Sequence, residues 1–452
     1  MTFSVRLTLV ILLLLSSSTF AGEVGDEPLR LSLSQAVSLA LARNSDLTLA
    51  RNRLQSAGVG IEAASGKFLP SLQGSAGSSQ NFRQQPSPGE PDAYRSANLQ
   101  LTANINLFNG FADRAGLDAS RQQQQGAEAN LRRQQQLVAF TVASNYTAVL
   151  INQELVQVAV QNLKSQQDLE RQIEAFYNAG RRAVTDYYQQ QAETAQAEFN
   201  LADAQRNLQV SKLEILQVLG RTLPVDVEVL PIDSNVLSDK LGNLDSNQAI
   251  EQALISRPDL RAQQLQIEAV RLQTKVARAG YLPNLDLQAT TGTNYSGANS
   301  GSFSGQFDDN QAASLGLTLT IPIFDRDQTR TSVAQAKIAE SDAAITKIKL
   351  QQQVSLEVGQ AIADYQRAKL QLTATGRQLH YARQALDSSE ARYQVGAATW
   401  VELSTARTNF IKAQGNEVRA RYGVLLQGLN IGYARGDLET MLQMLSGQET
   451  SS

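Results

Sequence analysis

The chain repeats itself over more than two hundred residues. Gln35-Ala36 and Asp46-Leu47 return 213 positions later as Gln248-Ala249 and Asp259-Leu260, and Phe68-Leu69-Pro70 returns at that spacing as Tyr281-Leu282-Pro283. Further on, Phe108 matches Phe324, and Tyr177-Asn178-Ala179-Gly180 matches Tyr393-Gln394-Val395-Gly396, now 216 positions apart. Three extra residues therefore sit between the two sets of anchors in the second copy. A unit this long far exceeds the roughly 20–50 residues of a solenoid module, so it is a duplicated structural unit within one assembly. Function has to be read from what one unit builds.

The ends of the chain frame the two copies. Arg6 precedes an apolar run at 7–15, interrupted only by Thr8, and Thr19 and Ala21 stand at the small-residue positions before a cut. This predicts a secretory signal peptide over 1–21 and a mature chain from about Gly22. The first copy is assigned to 22–230, a linker to 231–245, the second copy to 246–436 and a C-terminal tail to 437–452. The tail turns rich in Ser, Gln and Glu after Leu445, which predicts disorder there. No second apolar run reaches the ~18 residues of a membrane helix. The absence of cysteine excludes disulfides, thiolate metal sites, cysteine nucleophiles and a lipidated N-terminal cysteine. The formal net charge of -3 becomes one unit more negative once Arg6 is removed, which argues against nucleic acid as a partner.

Much of the chain is rich in Ala, Leu, Gln, Glu and Arg and nearly free of Gly and Pro, as long helices require. A single helix is expected over 111–177, with Val142, Val149, Val156 and Leu163 seven apart. The second copy has Val358, Tyr365, Leu372, Leu379, Leu386 and Tyr393 at the same interval. A sustained heptad predicts supercoiled helix packing. Each such helix would be roughly 100 Å long. Shorter helices are expected at 34–66 and 185–220, and again at 246–280 and 399–436. Two short helices match one long one in length, so they should stack end to end beside it, giving a rod of four-helix cross-section.

Strand patterns lie between the short and long helices. In 98–107 and 314–323 every second residue is apolar, the period of a sheet with one apolar and one polar face. Their partners are expected at about 69–82 and 282–295, joined through turns at 83–93 and 296–310. Each copy thus supplies one hairpin, 68–108 and 281–324, with strands long enough to cross an outer membrane. Four such strands cannot stand alone in lipid, because open edges leave backbone groups unpaired. Closure must come from further copies, and three would give twelve strands. Asn98, Gln100, Thr102, Asn104, Asn106, Thr318 and Thr320 would line water, with Phe82, Tyr94, Phe108, Tyr281 and Phe324 as interfacial aromatics. The periodicity leaves the number of copies open. The region 221–231 interrupts the helices and is expected to join the copies as part of a belt around the rod.

The duplicated helix-hairpin-helix unit, the Phe/Tyr-Leu-Pro approaches to the strands, Ile321-Pro322-Ile323-Phe324-Asp325 after them and the two Tyr-x-x-Gly turns resemble the TolC-type outer-membrane factors over about 31–438. That resemblance implies a mostly α protein with a membrane β-barrel. It implies a homotrimer whose twelve-stranded barrel sits in outer-membrane lipid of a Gram-negative bacterium, on a long α-helical barrel in the periplasm. It further implies a passive exit duct for efflux pumps or type I secretion. Docking would be to a periplasmic adaptor protein and an inner-membrane RND or ABC transporter, which would select the cargo.

A passive duct needs a gate, and the helix ends furthest from the membrane are the two Tyr-x-x-Gly turns, headed by Tyr177 and Tyr393. Gly180 and Gly396 suit the left-handed backbone that closes a helix. By resemblance, Thr185-Asp186 look like the family's Thr-Asp pair and Tyr393 like its gating tyrosine. Ala398 stands where the family prototype has an arginine, and Glu402 and Thr405 stand where it has aspartates. Glu402 alone therefore keeps an acidic ring at the aperture. Thr399-x-x-Glu402 is equally a capping box, so pore-facing and capping roles both stand. Arg181 and Arg182 are expected to replace the missing arginine as partners of Glu402 or Asp186. Trp400, the one tryptophan, is either an adaptor anchor or packing inside its hairpin. His380, the only histidine, is given no chemistry.

No nucleophile-base pair, metal cluster or phosphate-binding loop is evident, so no enzyme, catalytic residue, cofactor or metal is expected. The competing class is a structural or adhesive coiled-coil surface protein with a membrane barrel. Two hairpins inside a repeat, instead of one barrel segment at an end, count against it.

Overall fold

The computed structural model describes residues 29–82, 93–221, 226–232 and 245–449. The expected signal peptide at 1–21, nearly all of the first hairpin turn and most of the 231–245 linker lie outside them. The first copy contains β1 (Leu29–Leu31), α1 (Leu33–Arg43), α2 (Ser45–Gly66), β2 (Ser71–Phe82), β3 (Ala93–Phe108), α3 (Ala112–Asn178) and α4 (Val184–Val218). After β4 (Val227–Val229), the second copy contains α5 (Ser246–Ser256), α6 (Pro258–Ala279), β5 (Asn284–Ser296), α7 (Phe303–Asp309), β6 (Ala312–Thr320), α8 (Gln328–Gln394) and α9 (Trp400–Arg435). The chain continues in α10 (Leu438–Glu449).

The long helices α3 and α8 are each 67 residues, roughly 100 Å. Their heptads face inward: Val142, Val149, Val358, Tyr365, Leu386 and Tyr393 are buried. Helices α2 and α4 both lie along α3, and α6 and α9 both lie along α8, while α3 also packs on α6 and α9. The cross-section is thus four helices in the order α2 or α4, α3, α6 or α9, α8. No helix among the described residues is long and apolar enough to cross a membrane.

The four long strands form one antiparallel sheet in the order β2-β3-β5-β6. Register sets Leu72 opposite Ala103 and Leu317 opposite Leu287 on one face, with Asn106 opposite Asp286 and Asp286 opposite Thr318 on the other. Leu72, Leu99, Leu101, Leu107, Leu315, Leu317 and Leu319 are all exposed, so one face carries a broad bare apolar band, with Thr291 and Thr293 opposite Leu101 and Leu99. The sheet stops at Thr320 instead of continuing to Ile323 because Pro322 has no N–H to donate and restrains the residue before it.

Where strand passes to helix, each copy makes the same left-handed turn, at Gly110-Phe111 (φ 67° and 67°) and at Arg326-Asp327 (φ 56° and 62°). A Cβ on Gly110 would lie 2.8 Å from Leu282 Cβ, so the first turn is packed against the second copy.

Several elements differ from the sequence reading. Each leading short helix is broken in two. At Asn44 the side-chain oxygen accepts from Asp46 N and Leu47 N, starting α2 afresh, while Nδ2 donates to Val218 O at 3.0 Å. At Arg257 the break comes from Pro258, which sits at the first position of α6 and holds the preceding residue extended. The turn at 296–310 contains the short helix α7, capped by Ser302 accepting from Gly305 N at 3.1 Å and braced by Gln306, whose Oε1 accepts from Ser296 N at 2.9 Å. The C-terminal tail, expected to be disordered after Leu445, is helical over Leu438–Glu449, and 450–452 lie outside the described residues. Leu438, Met441 and Leu445 recur on one face and are buried, and Gly432 lets Met441 approach α9 closely.

The main core lies near the middle of the rod. There β1 and β4 pair in parallel, Leu29 opposite Val227, and the Tyr146 hydroxyl lies 2.9 Å from Leu31 O and 2.7 Å from Leu230 O. The last three carbonyls of α9 and that of its cap Gly436 each have a side-chain donor. Arg133 reaches Tyr433 O (2.8 Å), Arg257 reaches Ala434 O (3.2 Å), Ser256 reaches Arg435 O (2.6 Å) and Gln136 reaches Gly436 O (2.8 Å). Arg257, only 3% exposed, also pairs with Asp259 at 2.6 Å and Glu357 at 2.5 Å.

Candidate functional site at the helix tips

Both tips close as the glycines require. Gly180 (φ 70°) and Gly396 (φ 76°) are left-handed. Arg181 N donates to Phe176 O at 2.8 Å and Ala397 N to Arg392 O at 2.8 Å, the six-to-one bond of a Schellman motif. Tyr177 stacks on Tyr187, with centroids 5.7 Å apart, and so holds the two arms of the first hairpin together.

The hairpins α3–α4 and α8–α9 meet in a small apolar cluster separate from the main core. Leu169 and Ile173 come from the first hairpin, Leu386, Tyr393, Ala398 and Leu403 from the second. Arg182 crosses between the hairpins: Nη2 donates to Tyr393 O at 3.1 Å and its guanidinium lies 4.3 Å from the centre of the Tyr393 ring. The Tyr393 hydroxyl is buried without a hydrogen-bond partner among the described residues. Tyrosine 393 is therefore held by its ring and backbone. Burial pushes its phenol above the ordinary value; the Arg182 charge opposes this and the Asp186 carboxylate adds to it.

Other expected residues are arranged differently. Glu402 N donates to Thr399 Oγ1 at 3.2 Å, which is the capping half of the box. Its carboxylate lies 3.7 Å from Arg392, both side chains more than half exposed. Of the expected partners of Glu402 or Asp186, Arg181 lies over the Phe176 ring at 5.2 Å and Arg182 over Tyr393, while the ion pair at Glu402 is made by Arg392, on the last turn of α8. Thr185 is exposed and Asp186 half-buried in the first turn of α4. Trp400 Nε1 donates to Gln190 Oε1 at 3.2 Å.

Four contributors were not singled out in the sequence. Gln190, buried, donates to Gln166 Oε1 at 2.8 Å and to Gln166 O at 3.2 Å. Arg407, also buried, pairs with Glu390 at 2.6 Å and donates to Ser165 O at 3.3 Å. Gln166, Gln190, Arg392 and Arg407 sit in a chain crowded with Gln and Arg, so no local pattern marks them. Tyr393, Arg407, Glu390 and Asp168 line a cavity of about 180 Å³ at this seam.

The family model described as outer membrane efflux protein matches residues 36–221 and 249–431, one stretch in each copy. Outer membrane protein TolC of Escherichia coli strain K12 is 26% identical over 363 residues, covering 77% of this chain and 72% of the relative. The pyoverdine export outer membrane protein OpmQ of Pseudomonas aeruginosa is 24% identical over 420 residues, covering 89% and 85%. Among solved structures, CusC superposes with a TM-score of 0.77 at 21% identity over 89% of this chain and 92% of that one. The Campylobacter jejuni CmeC outer membrane channel gives 0.75 at 18% identity, covering 92% and 89%.

Proposed function

The chain belongs to the outer membrane efflux protein family, and from that premise we propose that three copies close into one duct, gated at the helix tips and serving a tripartite export system. It is an outer-membrane efflux channel with its helical part in the periplasm. The observation that carries the three-copy reading is the four-stranded sheet with a bare apolar band on one face, a polar second face and two open edges, β2 and β6. Open edges cannot persist in hydrocarbon, and eight strands make a barrel filled by its own side chains. Twelve strands from three copies satisfy both constraints. The flanks agree, because α4 carries exposed Tyr188, Phe199 and Leu213, and α8 carries exposed Ile338, Ile345 and Leu356.

In this reading Arg182, Tyr393, Asp186, Thr185 and Glu402 surround the periplasmic aperture. Gly180, Gly396 and Tyr177 shape the tips that a periplasmic adaptor protein engages, and Arg181 adds charge there. Trp400, tied to Gln190, serves the closed seam rather than the adaptor. No chemistry is done by this chain; an inner-membrane transporter supplies the energy and chooses the cargo. The test is single-channel current from the purified protein in a planar bilayer, alongside its detergent-corrected mass. Small openings from a three-chain particle are expected, and a monomer carrying no current overturns the reading.

A further inference from the structure

The tip seam holds a second tie, and we propose that the buried Gln190 amide is a positioning residue for the closed state, pinning Trp400 of the second hairpin at one height along the first. This rests on the tip-gate reading. The side chain is 1% exposed, its Gln166 partner 7%. Both ends of the amide are used: Nε2 donates to Gln166 Oε1 and O, and Oε1 accepts from the Trp400 indole. Three helices meet there, α3 and α4 of the first hairpin and the first turn of α9 in the second.

A buried amide tolerates no approximate neighbour. An apolar seam can slide, because one methyl group replaces another as helices shift. If α9 slipped by one turn against α4, the buried Gln190 Oε1 and the half-buried Trp400 N–H would both lose their partner, and orphaned buried groups are penalised more than a made bond is rewarded. The pin therefore selects one register and makes departure from it abrupt. It also sits deeper than the Arg182–Tyr393 contact, in the second turn of α4. Arg182 approaches from the tip loop, so the two ties must part separately when the hairpins separate.

Trp400 is the only tryptophan, so its fluorescence reports this tie alone. Four variants of the reconstituted full protein test it: Trp400→Phe, which keeps a ring but loses the donor, Gln190→Leu, the two combined, and Arg182→Ala. Each change at the pin is expected to raise open probability about 2- to 10-fold, the range of one hydrogen bond. The combined variant should open no more than either alone, since both remove the Trp400–Gln190 bond, the one of the three that crosses between the hairpins. In Arg182→Ala channels Trp400 emission should shift to the red and become quenchable by acrylamide. A detergent-corrected mass equal to the parent's verifies assembly. If Arg182→Ala raises the current while Trp400→Phe conducts like the parent, or if the two pin effects add, the pin is overturned and the gate stands. An unchanged Trp400 emission in conducting Arg182→Ala channels also overturns the pin. If neither Arg182→Ala nor Trp400→Phe changes the current, the gate reading falls and the pin falls with it.

Discussion

The rod is fastened at its middle, mostly within the second copy, and again at the tips, where the two copies meet, and the joints are of opposite kinds. At mid-rod, Arg257 is buried between Asp259 and Glu357 and caps α9, with Arg133 beside it over the Tyr433 ring at 3.9 Å. At the tips, a half-buried Arg182 rests on one tyrosine ring, one amide holds Trp400, and a handful of apolar residues fill the seam. A buried cation with two carboxylates fails all at once, because losing one partner strands the others. A guanidinium on a ring at the edge of solvent can leave with water taking its place, at a cost of about 1 kcal/mol. In the proposed gate one joint is permanent and the other releasable, which is what a hinged duct requires.

The largest effect should come from the mid-rod joint. Arg257→Ala strands two acids and a carbonyl and should cost about 3–5 kcal/mol, seen as a lower melting temperature by circular dichroism, with the opening of surviving channels unchanged. A variant melting with the parent would erase the contrast between the joints. Acid probes the same joint. Burial alone would raise the Asp259 pKa, but the hydrogen bond and charge of Arg257, with Arg133 behind, bring it below the usual carboxylate value. A folded-state pKa lowered in this way stabilises above the unfolded value of about 3.9 and is lost as pH falls through the lowered one. The parent's melting temperature should therefore drop below about pH 4, and Asp259→Asn should start lower and fall less steeply.

At the tip the order of readouts reverses. Arg182→Ala removes a cation-π contact and one hydrogen bond, together about 1–2 kcal/mol, and should raise open probability roughly 5- to 30-fold while the melting temperature stays put. Loss of thermal stability without extra current would make Arg182 another permanent fastening. Glu402→Gln should do least, because its pair with Arg392 is exposed and worth about 0–1 kcal/mol. A modest loss of cation preference, measured as reversal potential in a salt gradient, is the expected change.

Much of this was readable from residues because it is local or periodic. Heptads mark the long helices, alternation marks β3 and β6, and two glycines mark the tips. The helix breaks were missed although their signals are present: Asn44 before Ser45-Asp46 is a cap, and Pro258 is a helix start. A pattern of apolar residues continues through both, and it outweighed the caps. The same repeat position carries a neutral amide in one copy and Arg257 in the other, so duplication preserved the bend and changed its chemistry. Leu438, Met441 and Leu445 likewise announce α10, against a polar composition that suggested otherwise. Nothing local could have picked Gln190 from its many neighbours of the same kind. Its role exists only because α3, α4 and α9 converge on it.

The flanks of one protomer are unlike, β2 and α4 on one side and β6 and α8 on the other. A ring built head to tail uses both flanks of every copy, so a single copy with one spoiled flank breaks the whole ring. For the proposed three-copy ring, a cell making damaged and sound chains in equal amount would have only about one ring in eight wholly sound. An allele altering one flank would therefore be dominant, suppressing export even beside an intact gene.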